Sequence, residues 1–376
     1  MRLLVVNWRD YRHPLAGGAE VHIHNIITRL SEQYGHKILY VCNRCGAKLP
    51  ERETYDGIDV LRFGNEYNFN FVFIKRIKQI VREFKPDLII EDVNKVPFYS
   101  PLYVKIPVLL IVPHLFSGAI FRETNLLFAS YIYVLEKLML PVYRKCHVHV
   151  ISNSTKDDLV KMGYRRDDIS VAECGIDHQQ YFPDGKKASA PIICYTGRIK
   201  KYKSIEHLIE AAPLILKTAP NAKFIIIGDG EYLDALKNFT KRKGLEKNIE
   251  YPGYIPHEEK VELLRSAYCL VYPSIKEGWG ISNIEANACG TAVVAADVPG
   301  LRDSVNPDSS GLLYEYGNIE ELAQKVISII TDDQLRSRLE KGALEWAKRF
   351  TWDNTAEKFN DVLKARFGNI YYQEFD

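Results

Sequence analysis

Short, almost wholly apolar runs alternate with segments of helical periodicity along this chain, and the whole alternation is played twice. In the first half the pattern predicts strands over Leu3–Trp8, Lys37–Cys42, Val60–Phe63, Asp87–Glu91, Val108–Val112 and Val148–Ser152. Between them, Ala19–Tyr34 carries apolar residues at helical spacing and is closed by Gly35; Phe71–Phe84 and Leu126–Arg144 read as further helices. Strands apolar on both faces and separated by helices imply a parallel sheet covered on both sides. The periodicity breaks over Tyr181–Pro191, where Pro183-Asp184-Gly185 signals a linker, and then restarts. Strands are expected at Ile192–Thr196, Lys223–Ile227, Ile249–Tyr251, Cys269–Pro273, Ala292–Ala296 and Gly311–Tyr314, with helices between and after them. The reading is α/β: two doubly wound domains in tandem, with ligands beyond the carboxyl ends of the strands and a cleft between facing domains as the default site.

Composition narrows the function classes. Among 376 residues, 50 Lys plus Arg balance 48 Asp plus Glu, which gives no general attraction to nucleic acid. The greasy stretches are interrupted by Lys105 and prolines or by Glu136 and Lys137, short of the roughly 20 apolar residues of a spanning helix. The N-terminus enters a strand pattern without a cleavage signal, and the seven cysteines are odd in number and mostly in apolar strands; both point to the cytoplasm. Cys42-Asn43-Arg44-Cys45 lacks the second pair that a zinc ribbon needs, so no metal is expected there.

Chemistry concentrates in loops that follow strands. Ala16-Gly17-Gly18-Ala19-Glu20 precedes a helix whose positive end faces the same spot; it reads equally well as a ligand-approach loop or a flexible turn. After the first strand of the second half, Gly197-Arg198-Ile199-Lys200-Lys201-Tyr202-Lys203-Ser204 places a guanidinium fork and compact ammonium charges where a phosphate could sit. Gly228-Asp229-Gly230 resembles a dinucleotide fingerprint, but Leu233 stands where the third glycine belongs. The densest constellation runs from Pro273 to Gly290: strand, glycine-bounded loop with Glu277, then a helix with Glu285 in its first turns. Freed N–H groups near Gly280–Ser282 can bind an anion, and the two carboxylates can accept hydroxyls on either side of it. Alone, Glu285 reads as a helix-dipole partner and Glu277 as a solvated loop residue. Together with the glycines they match hydroxyls, anion, hydroxyls: a sugar, a diphosphate and a ribose.

At this point the chain resembles the family-4 type of retaining, nucleotide-sugar-dependent glycosyltransferases of GT-B fold. The resemblance rests on Gly17 and Gly18, on Arg198 and Lys203, and on the Glu-x7-Glu pair Glu277 and Glu285, in that order along the chain. Ser152-Asn153-Ser154-Thr155, Gly175-Ile176-Asp177 and the terminal Trp352 helix are less specific matches, and Ser204 departs from a frequent glycine. It implies two facing Rossmann-like domains with an interdomain cleft. Residues 1–183 would bind the acceptor, 184–350 the nucleotide sugar, and 351–376 would form a helical segment crossing back to the N-terminal domain. It further implies that Arg198 and Lys203 neutralise the diphosphate, Glu285 holds the ribose, and Glu277 contacts donor-sugar hydroxyls. Main-chain groups of Gly278, Trp279, Gly280, Ile281 and Ser282 would cradle sugar and phosphate, with Ile255 flanking the base. His114, after the strand Val108–Val112, would lie near the donor sugar.

The implied reaction is glycosyl transfer with retention, from a donor such as a UDP- or GDP-sugar to a glycan, lipid-linked or small-molecule hydroxyl. No cofactor and no metal are implied; no Asp-x-Asp motif is present, and cations plus a helix N-terminus would stabilise the leaving group. Rival readings are a nucleotide-sugar epimerase or phosphorylase on a similar scaffold, and an inactive sugar-nucleotide-binding subunit. For Phe116–Arg144, a membrane-interface surface receiving a lipid-linked acceptor competes with a core helix exposing Glu136, Lys137 and Arg144; the core helix is favoured.

Overall fold

The computed structural model describes residues 1–45, 48–93, 96–115, 120–121 and 126–368. Parts of the Phe116–Arg144 segment (116–119 and 122–125) and the last eight residues therefore lie outside the described residues. The chain forms two compact units, Met1–Gly175 with Trp352–Asp376, and Ile176–Thr351.

The first unit is built on β1 (Arg2–Val6), β2 (Lys37–Cys42), β3 (Arg52–Tyr55), β4 (Ile58–Arg62), β5 (Leu88–Asp92), β6 (Val108–Val112), β7 (His147–Val150) and β8 (Ile169–Val171). They form one sheet in the order β3-β4-β2-β1-β5-β6-β7-β8. Every pairing is parallel except β3 with β4, a hairpin closed by Asp56-Gly57, both at positive φ (50° and 71°). Asp-Gly suits the mirror-image turn such a hairpin needs. Alternation within β1 sends Leu4 and Val6 to one face, where α2 (Phe69–Phe84) packs Phe69, Phe73 and Ile77. Leu3 and Val5 go to the other face, against Ile23, Ile26 and Ile27 of α1 (Gly18–Tyr34).

α3 (Leu126–Tyr143) corrects the expectation for its segment. Glu136 is buried, not on the outer face, along with Ala129, Ile132, Met139 and Tyr143, whose hydroxyl donates to the buried Glu91. The outer face carries Leu126, Leu127, Phe128, Tyr131, Val134 and Leu138, alongside Lys137. By length and composition α3 also meets the minimum for a membrane span. α4 (Asn153–Met162) follows β7, its first turn capped by Ser152, which accepts from the Thr155 N–H at 3.2 Å.

The second unit holds six parallel strands: β9 (Ile192–Thr196), β10 (Lys223–Ile227), β11 (Ile249–Gly253), β12 (Cys269–Tyr272), β13 (Ala292–Ala296) and β14 (Gly311–Tyr314). Their order is β11-β10-β9-β12-β13-β14, so the chain reverses its direction of travel between β9 and β12. A crevice opens at such a switch point because the connections on its two sides leave to opposite faces. The covering helices are α5 (Glu206–Thr218), α6 (Leu233–Arg242), α7 (His257–Ser266), α8 (Ile281–Ala288), α9 (Leu301–Ser304), α10 (Ile319–Thr331) and α11 (Asp333–Ala347).

α12 (Trp352–Phe367) belongs to the first unit and adds Phe359, Leu363 and Phe367 to the α1 side of its sheet. Arg29 pairs with Asp353 at 2.7 Å, and the Thr355 hydroxyl donates to the Glu173 carbonyl at 2.8 Å. At the other junction the boundary falls after Gly175, eight residues before the sequence expectation. Ile176 bridges to Thr351 and Tyr181 reaches Glu285, so this stretch is tied into the second unit ahead of the Pro183 break.

Beneath α12 lies a group of buried imidazoles. His22 of α1 is 6.4 Å from His149 of β7 and 6.1 Å from Trp352, and His149 meets Phe359 edge-on at 4.7 Å. Neither ring nitrogen of His22 has a hydrogen-bond partner among the described residues. Burial pushes its pKa down to about 4; burial, then the neighbouring His22, holds His149 well below the ordinary range. The unfolded chain takes up these protons near pH 6.5 and the folded one does not. Stability is therefore complete above that pH and falls as the pH drops toward 4, by about 3 kcal/mol for His22 alone. Urea denaturation at pH 7.5 and pH 5 should show the first unit losing stability in acid, and His22→Leu should flatten the dependence.

Candidate active site

The sequence-predicted cations and carboxylates of the second unit follow β9 and β12, the two strands at its switch point. After β9 the backbone runs against the neighbouring loop: the Gly197 N–H donates to the Ile227 carbonyl at 3.1 Å and the Ile199 N–H to Asp229 at 2.9 Å. A Cβ at Gly228 would fall 1.9 Å from the Gly197 oxygen, and one at Gly230 would fall 2.2 Å from that of Ile199. Those two glycines exist for this close approach, which explains a dinucleotide-like pattern without a dinucleotide. The contact buries Ile199 and leaves Arg198 exposed.

A short turn over Lys201–Lys203 then brings Lys203 back inside. It is 6% exposed, with its ammonium 5.0 Å from the Tyr202 ring and 5.1 Å from that of Tyr272. It donates to the Tyr272 hydroxyl at 3.1 Å and pairs with Glu277 Oε1. Burial alone would pull this ammonium down, but the Glu277 carboxylate outweighs it and holds the group well above its ordinary value. Ser204 follows at φ 50°, the left-handed region, which explains why glycine is frequent here.

Glu277 is held through its own backbone as well. Its N–H donates to the Pro299 carbonyl at 3.2 Å, and the Ile275 N–H donates to Tyr202 at 3.1 Å, tying the two strand-end loops together. Gly280, at φ 80°, starts α8, and no side chain caps that N-terminus. Ile281 is half-buried; Ser282 is buried and hydrogen-bonds Tyr272. Trp279 behaves differently from a ligand contact. Its indole is 4% exposed and packs edge-on against Phe350 at 5.1 Å, which leaves Trp279 only its main chain for binding.

Glu285, on the next turns of α8, sits in a closed polar triangle. Oε1 accepts from the Tyr181 hydroxyl at 2.7 Å, Oε2 accepts from Lys260 at 2.7 Å, and Lys260 donates to Tyr181 at 2.9 Å. Burial and then the Glu285 charge push the Tyr181 hydroxyl far up, so it stays a donor. Lys260 and Tyr181 were not singled out from sequence. Lys260 lies on α7, five residues after Ile255, itself half-buried beyond β11, whereas Tyr181 lies in what reads as linker.

The remaining predicted residues belong to the first unit. Gly17 precedes α1 and its N–H donates to the buried Glu20 carboxylate at 2.7 Å; a Cβ on Gly18 would meet open space. The loop from Asn7 is anchored by the buried Arg62–Asp10 pair and by Asn7 donating to Asp92 at 2.9 Å. His114, half-buried, follows β6. Among the described residues, no group of three or more His, Cys, Asp and Glu is disposed to hold a metal ion.

Comparison with known proteins fits this geometry. Residues 177–346 match the model for glycosyl transferases group 1, and residues 16–180 match that for glycosyltransferase family 4. An uncharacterized glycosyltransferase of Methanocaldococcus jannaschii is 25% identical over 97% of this chain and 98% of its own. The D-inositol 3-phosphate glycosyltransferase of Nocardia farcinica is 30% identical over 57% of this chain, which spans about half (52%) of that relative's length. In fold, sucrose-phosphate synthase of Thermosynechococcus elongatus superposes with a TM-score of 0.83 at 20% identity, covering 98% of this chain and 99% of that one. HepE of Anabaena, solved with UDP-glucose, gives 0.75 at 20% identity over 97% and 100% of the two chains.

Gly300 offers a test of how Glu277 is placed. It stands at φ 83°, and a Cβ there would lie 2.1 Å from the Glu277 oxygen. Gly300→Ala should destabilise the second unit by about 2 kcal/mol or more, through backbone strain and displacement of the loop. A thermal melt checks it: an unchanged Tm would mean the loop yields freely.

Proposed function

Because this chain belongs to the family-4 glycosyltransferases of GT-B fold, we propose that it moves a glycosyl group from a nucleotide sugar to an acceptor hydroxyl with retained anomeric configuration. The observation that carries the reading is the buried Lys203–Glu277 pair beside the uncapped start of α8. Breaking the anomeric bond leaves negative charge on the diphosphate. An ammonium held charged, the exposed Arg198 and freed N–H groups are the donors that stabilise such charge without reorganising. Only Oε1 of Glu277 takes Lys203, which leaves Oε2 for a donor-sugar hydroxyl. Glu285, oriented by Lys260 and Tyr181, accepts from the ribose, and the family resemblance assigns His114 to the donor sugar. The acceptor oxygen bonds the anomeric carbon on the face the phosphate leaves, and its proton passes to the departing phosphate oxygen. No metal takes part in that step.

Arg198→Ala should cut turnover roughly a hundredfold with the fold intact. Lys203→Ala should do the same but also lower Tm, since it strands the buried Glu277 carboxylate. Near-wild-type turnover in both would remove the leaving-group assignment. Turnover that survives a chelator is expected as well. An epimerase or an inactive subunit would form no glycosylated product from any nucleotide sugar.

The two carboxylates separate nucleotide from sugar recognition. Glu285→Gln should weaken binding of the bare nucleoside diphosphate about tenfold or more, while Glu277→Gln, which touches the diphosphate only through Lys203, should weaken it less and act mainly by lowering kcat with the full donor. Calorimetry and steady-state kinetics decide it, and the reverse outcome would turn the ligand around.

For the acceptor, the exposed apolar face of α3, with Lys137 on it and Arg144 and Lys145 just beyond, supports peripheral contact with a membrane and a lipid-linked acceptor. Seven unpaired cysteines support the cytoplasmic side. Flotation with anionic vesicles should capture the protein, and Leu127→Glu with Leu138→Glu should release it.

A further inference from the structure

A counter-ion alone does not aim an ammonium. The group carries three N–H donors that rotate about one bond, so a single carboxylate contact leaves two of them undirected. Among the described residues, the Lys203 ammonium has two hydrogen-bond partners: Glu277 Oε1 and, at 3.1 Å, the Tyr272 hydroxyl. One N–H is left over, and its direction follows from the other two.

Tyr272 is itself held in place. It ends β12, is buried, and stacks on Tyr195 of β9 with ring centroids 5.4 Å apart and 21° between the planes. The Tyr195 hydroxyl donates to the Arg198 carbonyl at 3.1 Å, so the two rings brace the start of the cationic loop. Gly197 gives both hydroxyls room: a Cβ there would lie 3.0 Å from that of Tyr195 and 3.3 Å from that of Tyr272. The polarity of the bonds is fixed as well. Lys203 can only donate, so the Tyr272 oxygen accepts from it, and the hydroxyl proton is left for Ser282 in the first turn of α8. Burial, then the Glu277 charge, pushes this hydroxyl up, so it keeps that proton. Without the hydroxyl, the ammonium would have two unused N–H groups beside the second oxygen of Glu277. Swinging across both carboxylate oxygens would satisfy it, at the loss of Oε2 and of the N–H that points elsewhere.

Given the leaving-group role of Lys203, on which this rests, we propose that Tyr272 is a positioning residue: its hydroxyl keeps Lys203 on one oxygen of Glu277 and directs the third N–H to the diphosphate. Tyr272 touches no substrate and acts only through Lys203. It divides the labour of the ion pair, leaving an N–H for the departing phosphate and Glu277 Oε2 for the donor sugar. Through Ser282 it also ties the ammonium to the helix end that supplies the freed N–H groups.

Tyr272→Phe keeps the ring, with its stack on Tyr195 and its face toward the ammonium, and removes only the hydroxyl. In the full chain it should lower kcat about tenfold, the size of one hydrogen bond to a charged group. A double-mutant cycle with Lys203→Met separates positioning from packing: once the ammonium is gone, adding Tyr272→Phe should change kcat by less than about twofold. An equal fall in both backgrounds, or no fall in either, would overturn the proposal. Since Lys203→Met also strands Glu277, a second readout uses the single variant alone. Calorimetry with UDP and GDP, and NMR titration with uridine and guanosine, should show Tyr272→Phe weakening the diphosphate about threefold or more while the matching nucleoside binds unchanged. Equal weakening of both would mark a structural role and overturn the proposal. Wild-type turnover in Lys203→Met, or a wild-type chain that binds neither diphosphate, would overturn the leaving-group reading along with it.

Discussion

A charge taken out of water has to be met by another, and in the second unit Lys203 and Glu277 meet each other at the point where two strands end. Much of the local architecture follows from that pairing. The loop after β9 must turn back to bury the ammonium, which places Ser204 in a left-handed conformation and brings the Tyr202 and Tyr272 rings to 5.0 and 5.1 Å from the charge. The loop after β12 must hold Glu277 still, through Pro299 and through a Gly300 with no room for a side chain. A pair so placed is preorganised: the protein bears the cost of desolvating the cation during folding, before any substrate arrives.

The same logic separates what was legible in the sequence from what was not. β9, β10, β13 and β14 have the bounds that the apolar runs indicate, because a strand buried on both faces has no other way to be written. The hairpin strand β3 was missed because Arg52-Glu53-Thr54-Tyr55 lies at the sheet edge and carries polar residues there. For α3 the helix was legible but its orientation was not. Periodicity counted Glu136 as an outward charge, whereas a buried position turns it inward and leaves leucines outside. Orientation depends on what a face meets, and that information sits elsewhere in the chain.

Within the site, Arg198, Lys203, Glu277 and Glu285 were legible because glycines and strand ends frame them. Lys260 and Tyr181 were not, since one reads as an ordinary helix cation and the other as linker. They become visible only when both reach the same carboxylate from segments 79 residues apart. Trp279 shows the converse. Its place inside a functional run concealed a core side chain.

The return of α12 has a consequence for the order in which this molecule can be made. Phe359, Leu363 and Phe367 fill the α1 side of the first sheet, yet they leave the ribosome after every residue of the second unit. While the chain is being synthesised, the first-made half stays incomplete, with the apolar seat of α12 uncovered, although the second-made half already has all of its strands. The last helix closes a core begun some 350 residues earlier, so a chain stopped at Thr351 would carry a whole second unit and an unfinished first one.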